Sequence, residues 1–135
     1  MTIGLDTSVL VRLLIGEPTA LATKAQERLQ KAHRVRQAVI VSDLVIAEAY
    51  HALKHHYDLE PSAIRQALLA MLTSGMVQPE PGSAVLSVLQ EKKPGKAGFV
   101  DRLIQAHYEI DGVTTVTTLT LDKAQAKIGR SEFIG

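Results

Sequence analysis

The opening stretch MTIGLDTSVLVRLLIG, residues 1–16, decides how the chain is read. Residues 2–5, TIGL, fit a short buried strand, and an apolar run of helical period follows at once through Ile15, with Thr7 or Ser8 as its cap. Asp6 therefore stands at the joint between strand and helix. In parallel α/β sheets ligands sit beyond the carboxyl ends of the strands, so an acid at such a joint outweighs one elsewhere.

The same alternation continues outward. Residues 17–34 begin with Glu-Pro and place Leu21, Ala25, Arg28 and Leu29 at near-helical spacing, predicting an amphipathic helix. AVIV, 38–41, reads as a strand, and Ser42 or Asp43 caps a helix from Leu44 to about His56. Pro61 opens another through Met71, and these two helices are expected to form a hairpin. MVQPEPG, 76–82, is a short extended break, followed by a helix near 83–90 and a Lys-Lys-Pro-Gly-Lys loop. Residues 99–108 have helical period, ended by Asp111-Gly112. VTTVTTLTL, 113–121, is a β-branched strand, and a last helix covers 123–128, stopped by Gly129. Strands alternating with helices predict an α/β domain with a mainly parallel sheet covered on both faces.

The chain has 135 residues, 46% of them hydrophobic, which predicts one domain over 1–135 with a sizeable core. Fifteen Lys and Arg against 14 Asp and Glu leave a net charge of +1, so any nucleic-acid contact must be local. Cys is absent, which removes disulfides, thiolate metal sites and cysteine nucleophiles. Neither a secretory signal nor a membrane span is recognisable, and a cytoplasmic protein is expected.

Four acids fall at positions where chemistry is expected. Asp6 follows the first strand, and Asp122 follows the Thr-rich strand, where capping the last helix would also explain it. Glu48 has Leu44, Val45 and Ala52 at helical spacing, so it is expected to border apolar surface, where a carboxylate is costly unless paired or metal-bound. Asp101 opens its helix, a favourable place for an acid in any case. Carboxylates gathered together repel and shift upward in pKa unless a cation lies among them. Oxygen ligands without Cys point to Mg²⁺ or Mn²⁺.

LDTSVLVRLL (5–14), VSDLVIAEAYHAL (41–53), FVDRLIQAHY (99–108) and TTLTLDKAQAKI (117–128) together resemble the PIN-domain ribonucleases, most of all the short VapC-type toxins of toxin-antitoxin pairs. The resemblance spans nearly the whole chain. It implies a three-layer α/β/α fold and a metal-dependent endoribonuclease, with Asp6, Glu48, Asp101 and Asp122 as the catalytic, metal-binding acids. Thr7 and Ser8 match the polar positions after the first Asp, and Thr120 the Thr two residues before the last acid. Many relatives carry Asn where this chain has Ser8. Products with 5′-phosphate and 3′-hydroxyl ends, a small antitoxin partner and a homodimer are further implications.

RNA needs positive contacts near such a pocket, and Arg12, the KAHRVR stretch (31–36), Lys92, Lys93 and Lys96 are the candidates. The five aromatic residues are scattered, so no base-stacking platform is expected. Other readings are a receiver-like Mg²⁺-binding signalling module and a non-catalytic RNA-binding PIN domain. Five histidines allow metal-free acid-base chemistry, and His51 and His55 share a face with Glu48 at zinc-like spacing, although the HExxH pattern is absent. A DxDxT phosphatase would need an acid where Ser8 stands.

Overall fold

A computed structural model of the chain describes residues 2–80, 84–91, 98–110, 118–121, 123–127 and 131–134. These form two compact units, Met1–Glu80 and Pro81–Gly135.

In the first unit, β1 (Thr2–Gly4), β2 (Ala38–Val41) and β3 (Gln78–Pro79) form a parallel sheet in the order β1-β2-β3. Ile3 lies opposite Val39, and Ile40 opposite Gln78. Parallel strands need crossovers, and helices supply them: α1 (Thr7–Ile15) and α2 (Thr19–Arg34) join β1 to β2, and α3 (Asp43–His55) and α4 (Pro61–Thr73) join β2 to β3. α1 packs on both α2 and α3, and α3 packs on α4, the expected hairpin.

Residues Ile46, Ala49, Tyr50 and Leu53 form the buried stripe of α3, facing a core that includes Leu10, Val41, Ile64 and Leu68. β1 is less buried than its apolar letters suggest. Thr2 and Gly4 are exposed and Ile3 half-buried, since among the described pairings β1 borders only β2.

The helix ends follow local chemistry. Ser42 caps α3 by accepting the Val45 N–H, and Pro61 sits in the first turn of α4. Gly16 closes α1 in the left-handed region, at φ 75°, where its N–H reaches the Arg12 carbonyl. The cap of α1 is Asp6, not Thr7 or Ser8 as expected, because both hydroxyls donate to carboxylates instead.

In the second unit α5 (Val85–Leu89) packs on α6 (Phe99–Ile110), burying Val85, Val88, Phe99 and Leu103. Arg102 of α6 pairs with Glu91. β4 (Thr118–Thr120) pairs in parallel with β5 (Ser131–Phe133), a strand that sequence periodicity did not predict. Ser131 Oγ donates to the buried Gln105 Oε1 at 2.7 Å, tying β5 to α6. Residues 125–127 form one 3-10 turn where a short final α-helix was expected; three residues are too few to close several i to i−4 bonds. The Lys-Lys-Pro-Gly-Lys loop, Asp111-Gly112 and Gly129 lie outside the described residues.

Candidate active site

β1 ends into Leu5, whose N–H still donates to Ile40 across the sheet, and the next residue, Asp6, turns the chain into α1. Its backbone is extended, at φ −94° and ψ 175°, and its Oδ1 accepts the Val9 N–H at 3.1 Å, the geometry of an N-cap. Ser8 Oγ donates to the same oxygen at 2.7 Å. The Ser8 hydroxyl first, then the Val9 amide, hold the Asp6 carboxyl below its ordinary value of 3.8, against a smaller opposing effect of desolvation. The upward shift expected for crowded carboxylates is therefore not found at Asp6, where donors favour the charged form.

Thr7 serves the other acid. Its Oγ1 donates to Glu48 Oε2 at 2.7 Å, bridging the first turn of α1 to α3. Consecutive residues at the start of α1 thus present one carboxylate and orient a second. Glu48 is exposed, contrary to the expectation of apolar surroundings. The reason lies in the angular placement of α3: its buried stripe runs through Ile46, Ala49, Tyr50 and Leu53, while Leu44, one turn before Glu48, is 80% exposed.

Asp101 lies half-buried in the first turn of α6, in the second unit. Thr120 ends β4. Asp122, Lys92, Lys93 and Lys96 lie outside the described residues. Arg12 is in the last turn of α1, about 9 Å along the helix axis from Asp6, and its Nη1 donates to the Tyr57 hydroxyl at 2.9 Å and, weakly, to the Glu17 carbonyl. Tyr57 was not singled out in the sequence. Nothing local marks it, since its partner is 45 residues away.

The imidazoles of His51 and His55 stack with centroids 5.8 Å apart and planes 13° apart. Among the described residues no group of three or more His, Asp or Glu side chains gathers to hold a metal ion. Asp6 and Glu48 present carboxylate oxygens at exposed positions, and that chemistry fits a hard divalent ion.

A family model described as the PIN domain matches residues 3–131, and the chain belongs to the PIN-domain family. Comparison with curated proteins finds no match, and neither does comparison with solved structures. The parallel sheet and its helices fit the three-layer α/β/α fold of that family. PIN domains are generally nucleases that use divalent metals, so a nuclease function is supported. No helix among the described residues is long and apolar enough to cross a membrane.

Proposed function

With a PIN domain as the premise, we propose that residues 1–135 act as one domain, a divalent-metal-dependent endoribonuclease that serves as the VapC-type toxin of a toxin-antitoxin pair. The observation that carries this reading is the Asp6–Ser8 and Thr7–Glu48 pairing at the carboxyl end of β1, where an α/β domain binds its ligand.

In this reading Asp6, Glu48, Asp101 and Asp122 hold the ion, the last two assigned by sequence resemblance alone. Bound Mg²⁺ or Mn²⁺ supplies Lewis acidity and eases deprotonation of a water. Ser8 and the Val9 N–H keep Asp6 ionised, and Thr7 fixes which oxygen of Glu48 faces away from it. The water oxygen bonds to phosphorus, the bond from phosphorus to the 3′ oxygen breaks, and that oxygen leaves as a 3′-hydroxyl with a 5′-phosphate on the other product. Thr120 supports the last acid, and Arg12, Lys92, Lys93 and Lys96 contact RNA. A small antitoxin blocks the site, the protein is a cytoplasmic homodimer, and it has no membrane partner.

The test is cleavage of structured and single-stranded RNA by purified protein with Mg²⁺ or Mn²⁺, repeated with EDTA and with Asp6→Asn. Loss of cleavage in both controls is expected. Cleavage that survives EDTA would move the chemistry to the histidines, and RNA bound but never cut would favour a non-catalytic domain. Growth arrest on expression, relieved by Asp6→Asn, is the expected sign of a toxin.

A further inference from the structure

A concavity of about 440 Å³ opens at the amino ends of β2 and β3, lined by His33, Arg36, Gln37, Gly75 and Gln78 among others. It lies at the other end of the sheet from Asp6, about 13 Å away along the strands, given the four residues of β2.

Every polar side chain named in its wall can donate: the His33 imidazole, the Arg36 guanidinium and the amides of Gln37 and Gln78. No carboxylate is among the described residues that line it. None of these four side chains is engaged with another among the described residues. Beside His33 and Arg36 in sequence, KAHRVR carries Lys31 and Arg34. Lys31, His33 and Arg34 also complement the C-terminal dipole of α2, and Arg36 follows its cap residue Val35.

Arg36 is held at φ 57°, a left-handed conformation that a long side chain rarely adopts. The turn holds it there through Arg36 N–H to the His33 carbonyl and Gln37 N–H to the Ala32 carbonyl. These bonds close the C-terminus of α2, with Arg36 as the left-handed residue after its cap, and the turn leaves the Arg36 guanidinium in the wall of a donor-rich hollow.

We propose that this hollow is a second RNA contact, holding a backbone phosphate of the substrate strand at a distance from the bond that is cut. The inference rests on RNA being the substrate. Arg36 supplies the forked donor, His33 and the two amides complete the anion's shell, and the contact adds affinity without entering the chemistry.

The experiment measures binding of a fluorescent single-stranded RNA across a salt series in EDTA, which keeps the strand intact, and KM and kcat for cleavage with metal. Arg36→Asn suits the left-handed backbone, and Gln78→Leu removes a donor without changing charge. Arg28→Asn, exposed on α2 and outside the hollow, is the charge control. Both hollow variants should weaken binding several-fold and raise KM with kcat unchanged, and Arg36→Asn should reduce the salt slope by about 0.7, the value of one single-strand phosphate contact. Backbone NMR shifts on adding RNA should centre on His33, Arg36 and Gln78.

Equal losses in Arg36→Asn and Arg28→Asn would reveal diffuse charge and overturn the site. Shifts at these residues with inorganic phosphate but not with RNA would overturn the RNA assignment. Normal cleavage with unchanged KM in the hollow variants would overturn this inference and leave the nuclease reading intact, whereas a chain that neither binds nor cuts RNA would remove both.

Discussion

Thr7 Oγ1 donates to Glu48 Oε2 at 2.7 Å across 41 residues of sequence, so the residue after the first acid determines how the second is oriented. Its neighbour Ser8 does the same for Asp6 at the same distance. Two hydroxyls in succession, in the first turn of α1, serve two carboxylates.

Thr7→Val keeps the shape of the side chain and removes the donor. A fall of about tenfold in kcat is expected, with the far-UV spectrum unchanged and Thr7→Ser restoring most activity. Steady-state cleavage kinetics on the three proteins check it, and unchanged kcat in the valine variant would remove Thr7 from the site.

Asp6 combines two roles that different substitutions separate. Asn is as good an N-cap as Asp, so Asp6→Asn should abolish cleavage and leave the melting temperature nearly unchanged, whereas Asp6→Ala should lose both activity and the cap. Parallel thermal melts and cleavage assays give the comparison.

The Asp6 carboxyl should titrate below 3.8 in an NMR pH series, and Ser8→Ala should move its midpoint up toward that value. The sign for stability follows from the same shift. A folded pKa lowered below the unfolded one stabilises the fold fully above about 3.8 and loses that contribution as pH falls through the folded midpoint. Acid unfolding should accordingly begin at slightly higher pH in Ser8→Ala.

Core and surface variants of the first unit should differ widely. Leu53→Ala, at a position 1% exposed, should cost about 2–5 kcal/mol in denaturant unfolding. Tyr57→Phe removes the acceptor of the Arg12 guanidinium at an exposed contact and should cost about 1 kcal/mol or less.

Much of the architecture was legible because its signals are local. AVIV is a strand with the bounds read from its letters, Ser42 caps the next helix, and Pro61 opens the one after. Asp6 at a strand end was legible for the same reason. β5 was not: its three residues, Ser131–Phe133, have no period to detect, and their strand state depends on pairing with β4 and on the Ser131–Gln105 bond.

The sequence by itself determined the alternation of strands and helices and the oxygen-only character of the acids, because turn chemistry, helix period and residue type act within a few residues of chain. Only the tertiary structure decided that Asp6 rather than Thr7 or Ser8 caps α1, that Glu48 faces water, and that Arg12 meets Tyr57. The Thr7–Glu48 and Arg12–Tyr57 bonds depend on which groups packing brings within about 3 Å, and a hydrogen bond is decided by that distance, not by separation along the chain.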